Sequence, residues 1–433
     1  MFLFGETPYR YNVTDSVLNY CDHFSALIFK SAALVYLSNF KKINPQKLKK
    51  IKIAFFAEIL IEDFDGASRT MFQIIRRIPQ QHFEFLFICG KGPDELFGFE
   101  CVCIPTLTVP FNKSYSMALP YLADKTLREK LSAFDPDIIH IATPSLLGSF
   151  ALQYARSLQL PVISIYHTHF ISYISYYLSK APFLIDLVKA KLMVAQKNFY
   201  NQCELVYVPS ESIAAEMQQM GISQSGLKLW KRGIDTHLFS PEKRDTTSLR
   251  LTTGNNNPNI LFASRLVWEK NLETLIRIYE YCQSKNLKYN FIIAGDGIAK
   301  KACQQKMNKA FFTGSLQHAE LAKLYASADV FLFTSVSETY GNVVLEAMAC
   351  GLPCVIADGG GSRDFIEQGI NGFKCQPQNH ADYVDKIQTI LSDDPLRARF
   401  SQKGRSFSLD LDWDKLTDVY FDDLQSMAGV LHI

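Results

Sequence analysis

The sequence predicts an α/β protein: two Rossmann-like domains facing each other across a cleft. Short runs rich in β-branched and aromatic residues alternate with amphipathic segments of helix length, the pattern of parallel strands joined by crossover helices. The alternation stops once, in a polar stretch bearing Gly, Asn and Pro around 233–258, and then restarts. The length agrees, since 433 residues exceed what one ordinary core accommodates.

In order, the first domain is predicted over 51–232. Its first strand is "IKIAFFA" at 51–57, followed by a loop with Asp63, Asp65 and Gly66 and a helix over about 68–77. Strand-like runs follow at "FEFLFIC", "DIIHIA", "PVISIYH" and "ELVYVPS", with helix-like segments between them. The second domain, 233–408, holds "NILFASR", "YNFIIAGDG", "AFFTGS", "DVFLFTS" and "LPCVIAD". "AGDG" at 294–297 reads as a tight turn and, lacking GxGxxG, gives no dinucleotide site. The closing segment, 409–433, carries an amphipathic helix with aromatics from about Trp413.

Residues 1–50 form an N-terminal extension. Its apolar run at 24–40 is broken by Lys30 and falls short of the roughly 18–20 residues of a spanning helix. Asp15 and Asp22 precede it, which is unlike a signal peptide. Lys41, Lys42, Lys47, Lys49, Lys50 and Lys52 follow. An interfacial helix on an anionic membrane surface and an extra helix docked on the first domain both fit these residues.

Composition excludes some classes. A net charge of +2 gives no strong field for nucleic acid. Ten cysteines scattered along the chain fit a reduced, cytoplasmic protein. Cys101-x-Cys103 and Cys350-x3-Cys354 read as buried small hydrophobes, with no His or Cys pair at zinc spacing near Cys101 and Cys103.

In open α/β sheets ligands bind beyond the carboxyl ends of strands. "NILFAS" ends in Arg265, and Lys270 follows at a helix start. Two cations flanking such a turn suit a diphosphate; ordinary surface charges are the alternative. "DVFLFT" leads to Gly341 at the next helix N-terminus, where free N–H groups attract anions. Glu338 precedes that Gly and Glu346 lies inside an otherwise apolar helix, "NVVLEAMA". A buried carboxylate needs a partner: a ribose diol, or a core Arg or backbone amides. In the first domain, Gly66 fits either a phosphate loop or a simple turn. His167 and His169, after "PVISIY", fit either a sugar-facing or a structural role. Asp63-x-Asp65 and Asp410-x-Asp412 are weak candidates for a divalent cation, because Arg265 and Lys270 already supply positive charge.

"ETYGNVVLEAMACG" resembles the E-x7-E segment of retaining family 4 glycosyltransferases, and "FASRLVWEKNLETLI" resembles their Arg- and Lys-bearing segment. Ala263-Ser264 stands where Val-Gly is commoner, and Asn271 where Gly is usual. "YHTHF" and "LWKRGIDTHLFSP" resemble a branch with sulfoquinovosyl and lipid mannosyl transferases. The resemblance spans about 51–428 and implies the two-Rossmann GT-B fold. It implies that Arg265 and Lys270 hold the donor diphosphate, Glu346 the ribose and Glu338 the sugar hydroxyls. Thr339, Tyr340, Gly341, Asn342 and Val343 would bind sugar or phosphate. Gly66 would form the loop near the phosphates, and His167 would lie by sugar and acceptor. The final helix would cross back to the first domain.

The expected activity is retaining transfer from a UDP- or GDP-linked sugar to a lipid or glycan hydroxyl, with no cofactor and no bound metal, at the cytoplasmic face of a membrane. Two other readings share these residues: a GT-B sugar phosphorylase or sugar-phosphate synthase, and a nucleotide-binding scaffold without turnover. The intact Arg265, Lys270, Glu338 and Glu346 argue against the scaffold.

Overall fold

The computed structural model describes residues 49–62, 64–109, 112–167 and 182–430. The apolar run at 24–40, Asp63 and His169 lie outside them. Residues 51–433 form one compact unit.

Its first half runs β1 (Ile51–Ile59), α1 (Gly66–Ile75), β2 (Phe83–Lys91), β3 (Glu95–Leu96), β4 (Phe99–Cys103), β5 (Thr106–Val109), β6 (Asn112–Ala118), α2 (Asp124–Phe134), β7 (Ile138–Ile141), α3 (Leu146–Ser157), β8 (Val162–Ile165), α4 (Ile185–Tyr200), β9 (Leu205–Val208), α5 (Glu211–Gln219) and β10 (Leu227–Leu229). The sheet order is β10-β9-β8-β7-β1-β2-β4-β3, parallel except for the β3–β4 hairpin. An antiparallel β5–β6 ribbon stands apart from this sheet. The hairpin and the ribbon were not expected from the sequence.

Both faces of the sheet are covered, so β1 is apolar at successive positions. Ile53, Phe55 and Ala57 face Met71 and Phe72 of α1, while Ala54 and Phe56 face Phe150 and Ala151 of α3. Helix α1 begins at Gly66, earlier than the expected 68, because Asp65 caps it by accepting from Ser68 N at 2.8 Å.

The second half runs α6 (Thr246–Thr253), β11 (Asn259–Ala263), α7 (Leu272–Ser284), β12 (Asn290–Ala294), α8 (Lys300–Lys306), β13 (Phe311–Gly314), α9 (His318–Ser327), β14 (Val330–Phe333), α10 (Asn342–Ala349), β15 (Cys354–Ala357), β16 (Gly372–Cys375), α11 (His380–Ser392) and α12 (Asp394–Leu409). Its parallel sheet has the order β13-β12-β11-β14-β15-β16. The last helix, α13 (Trp413–Val430), packs on the first sheet. There Tyr420 Oη lies 2.8 Å from His140 Nδ1, and Trp230 Nε1 donates to Leu416 O at 2.7 Å.

Candidate functional site

Strands β11 and β14 are neighbours in the second sheet, so the loops leaving their carboxyl ends meet. The β11 loop carries Arg265, which is exposed. It is braced by the 294–297 turn: Ser264 N donates to Ala294 O and Leu266 N to Asp296 O. Gly295 and Gly297 have φ of 135° and 153°, and a Cβ there would stand 1.9 Å from Ser264 O and 2.4 Å from Leu266 O. The sequence reading took "AGDG" as a turn alone; it also buttresses the Arg265 loop, because only glycine admits so close a backbone.

Lys270 ends a 3₁₀ turn, Trp268–Lys270, and Asn271 follows in the left-handed region with φ 53°. Asn tolerates that conformation better than most residues. Its Nδ2 donates to Thr334 O at 3.1 Å and Pro377 O at 2.9 Å, while its Oδ1 accepts from Thr274. Asn271 therefore occupies a left-handed position that a Gly would also fit, and adds ties to two neighbouring loops.

Lys270 Nζ donates to Glu338 Oε1 at 2.6 Å, with side-chain exposures of 5% and 19%. Burial opposes the charge on Glu338, but Lys270, a hydrogen bond from Ser335 and the charge of Arg265 together hold its carboxyl below its ordinary value. The two expected cations and this acid thus form one cluster.

The Glu338–Gly341 loop rests on Gly359, Gly360 and Gly361, a run that the sequence reading passed over. Gly361 N donates to Glu338 O at 2.7 Å, and a Cβ on Gly361 would stand 2.0 Å from Thr339 O. Gly341 has φ 92° and lies against Ser362. Thr339 is buried, Asn342 starts α10, and Val343 packs partly on the core of the second half. Tyr340 is buried, and its hydroxyl donates to Arg232 O at 2.9 Å.

Glu346 sits in the second turn of α10 and is buried. Its Oε2 accepts from Tyr325 Oη at 3.2 Å, so the chain itself supplies one partner. Burial raises its carboxyl above the ordinary value, countered by the charge of Arg69 and by the Tyr325 bond. Arg69 belongs to α1 of the first half, and its Nη1 donates to His318 Nε2 at 2.6 Å in the second. Gly66 also comes near the second half: a Cβ there would lie 3.7 Å from Asn342 Nδ2.

His167 follows β8 and is buried; neither ring nitrogen has a hydrogen-bond partner among the described residues. Burial first, and then the charge of Arg232, hold its ring well below the ordinary pKa. Arg232 is buried beside it, donates to His167 O at 3.4 Å and stacks over the Tyr340 ring. Burial lowers the Arg232 pKa to about 10 against the support of Tyr340, Asp65 and Glu338. Arg232, Arg69, His318 and Tyr325 were missed by sequence reasoning. Each acts across a long sequence separation, and "KRG" alone reads as linker chemistry.

Residues 64–238 match the family described as "Glycosyltransferase Family 4", and residues 244–407 match "Glycosyl transferases group 1". Sulfoquinovosyl transferase SQD2 of Arabidopsis thaliana is 30% identical over 398 residues, covering 89% of this chain and 76% of that one. The chain belongs to the family 4 glycosyltransferases. Another relative is a GDP-mannose-dependent alpha-mannosyltransferase of Corynebacterium glutamicum, 28% identical over 376 residues, 85% of this chain and 87% of that one. The fold of this glycosyltransferase is GT-B: HepE of Anabaena, solved in complex with UDP, superposes with a TM-score of 0.68 at 21% identity, over 87% of this chain and 100% of that chain. In this glycosyltransferase the Lys270–Glu338 pair and α10 fall within the group 1 match, whereas Gly66, Arg69 and His167 fall within the family 4 match.

Proposed function

We propose that the chain is a retaining, metal-independent transferase that moves a sugar from a UDP- or GDP-linked donor to a hydroxyl of a lipid or cell-envelope glycan. Residues 51–232 serve the acceptor side and 233–408 the donor side, with 409–433 returning to the first. The observation that carries this reading is the buried Lys270–Glu338 pair, within the field of Arg265, at the carboxyl ends of the neighbouring strands β11 and β14. The name of the GDP-mannose-dependent relative supports a nucleotide-sugar donor, and the resemblance of the sequence to lipid mannosyl transferases supports the acceptor class.

Arg265 and Lys270 neutralise the leaving diphosphate, and the backbone N–H groups of Gly341, Asn342 and Val343 donate to its oxygens, so charge is stabilised where it develops. Thr339 and Tyr340 place that loop against the sugar. Glu338 orients the sugar hydroxyls, Glu346 holds the ribose, and Gly66 closes over the phosphates. The bond from the anomeric carbon to the phosphate oxygen breaks, and a bond to the acceptor oxygen forms on the same face. The acceptor proton passes to the departing phosphate oxygen. Neutral His167 hydrogen-bonds a sugar or acceptor hydroxyl.

The test incubates the full chain with UDP- and GDP-linked sugars and diacylglycerol vesicles, with and without chelator. A product that keeps the donor's anomeric configuration, formed equally in chelator, is expected. An inverted product, or activity that vanishes with chelator and returns with Mg²⁺, refutes the reading; turnover dependent on free phosphate assigns a phosphorylase instead. UDP or GDP at 100 times its Kd should stabilise the chain by about 2.7 kcal/mol. Among the described residues no helix is long and apolar enough to cross a membrane. The proposed site of action is the cytoplasmic membrane face, held through residues 24–52. Deleting 1–48 should abolish sedimentation with anionic vesicles while sparing donor hydrolysis, and unchanged sedimentation rejects that anchor.

A further inference from the structure

Three thiols converge away from the donor cations. Cys89 lies near the end of β2, and Cys101 and Cys103 lie on the adjacent β4. The parallel register sets Cys89 beside Cys103 and Phe87 beside Cys101. Side chains two apart on a strand share a face, so the three sulphurs point the same way. Cys89 Sγ is 3.6 Å from Cys101 Sγ and 3.5 Å from Cys103 Sγ, and all three lie within 4.8 Å of one another. Among the described residues this is the one group of three Cys, His, Asp or Glu side chains so closely gathered. The sequence reading, which saw only Cys101 and Cys103, missed the third member because it comes from another strand.

The spacing suits a shared ion. With a metal–sulphur bond of about 2.3 Å, tetrahedral geometry puts two sulphurs about 3.8 Å apart. The observed separations are far longer than the ~2.0 Å of a disulfide. Cys89 and Cys101 are buried, whereas Cys103 is exposed and leaves a route for an ion from solvent. A side chain on Gly92 would place its Cβ 2.8 Å from Cys89 Sγ, so glycine keeps the space beside that sulphur open.

We propose that Cys89, Cys101 and Cys103 form a three-thiolate site for a thiophilic d¹⁰ cation such as Zn²⁺, with water in the fourth position. Binding breaks three S–H bonds, forms three metal–sulphur bonds, releases three protons to solvent and transfers no electrons. The ion would tie β2 to its neighbour β4. Leu60 N donates to Lys91 O at 2.7 Å, so the same knot would brace the segment that leads to Gly66.

The test titrates the full, reduced chain with Co²⁺. Thiolate-to-cobalt charge transfer in the near ultraviolet and tetrahedral d–d bands should appear, saturate at a single ion per chain and disappear when Zn²⁺ is added. The Cys89→Ala/Cys101→Ala/Cys103→Ala variant should lose the charge-transfer band although its other cysteines remain. Cys103→Ser, at an exposed position that leaves the core intact, should weaken it. Absence of the band in the natural chain overturns the proposal. So does a band that persists at full intensity in Cys103→Ser and in the triple variant, or an octahedral spectrum typical of oxygen and nitrogen ligands.

Discussion

Replacing Glu338 by Gln strikes at the centre of the proposed donor site. The Lys270 side chain is 5% exposed and holds Glu338 Oε1 at 2.6 Å. The amide keeps the size of the acid and an acceptor oxygen but removes the counter-charge, leaving a buried ammonium. Breaking one partner of a buried pair costs about 3–5 kcal/mol. Glu338 retains 19% exposure, so water reaches the pair and the lower end applies, about 3 kcal/mol. With an unfolding entropy of about 2.1 cal/mol/K per residue over the roughly 380 residues of the compact unit, that loss lowers Tm by about 4 °C. Lys270→Met with Glu338→Leu removes both charges and should recover most of the loss, since paired apolar replacement is often neutral. Calorimetry of Lys270→Met, Glu338→Leu and the double variant gives the coupling directly. A nucleoside diphosphate should stabilise Glu338→Gln more than the natural chain, because its phosphates restore the missing negative charge. Single losses below about 0.5 kcal/mol that add in the double variant would refute the reasoning, for the pair would then behave as a solvated surface contact.

Acid titration should separate the two glutamates. Glu338 is held below its ordinary value of 4.5, so its contribution is complete above pH 4.5 and is lost as pH falls below that value. Glu346 is held above 4.5, so its charging costs stability as pH rises through that raised value and costs nothing below 4.5; denaturant midpoints of Glu338→Gln and Glu346→Gln across pH 3–7 should show opposite slopes relative to the natural chain. Glu346→Gln keeps an acceptor for Tyr325 but should weaken nucleoside diphosphate affinity by roughly 10–150-fold, the worth of a charged hydrogen bond, and unchanged affinity by calorimetry places the ribose elsewhere. Arg69→Ala should raise KM and the solution radius of gyration by removing the His318 contact between the halves, and identical scattering curves contradict this. Gly341→Ala should cost about 1–2 kcal/mol in backbone strain alone. Its Cβ, 2.4 Å from that of Ser362, would also displace the loop, so retained donor affinity would count against the role of that loop.

The strands were legible because both sheets are covered on two faces, which makes "IAFFA" and "VFLF" read as unbroken apolar runs. The Arg265, Lys270 and Glu338 cluster was legible because a parallel sheet puts every strand's carboxyl end on one side. The β3–β4 hairpin and the β5–β6 ribbon escaped because polar residues interrupt them, so they lack the unbroken apolar run that marks the strands covered on both faces. Arg232 and Arg69 escaped for another reason: their partners stand in distant elements, and a lone Arg in a polar stretch looks like any solvated charge. The carboxylate of Glu346 announced a partner, but Tyr325 supplies it from a separate helix. The Cys89 thiol joined Cys101 and Cys103 only through strand pairing, which no local spacing encodes.

The peptide passes between the halves twice, at Arg232–Gly233 and again at Leu411, and the passages are bonded to each other by Ile234 N donating to Leu411 O at 3.0 Å. Trp413 presses on the first passage, where a Cβ on Gly233 would stand 2.6 Å from its ring. Two ties fastened together act as a hinge pin: they permit swinging and resist sliding. Any opening of the halves about this point would carry the loops bearing Arg265, Lys270 and Glu338 on an arc past Gly66 and His167. A larger residue at position 233 would wedge the pin open. Under the proposed function, it would alter the pace of nucleotide release while leaving Arg265, Lys270, Glu338 and His167 in place.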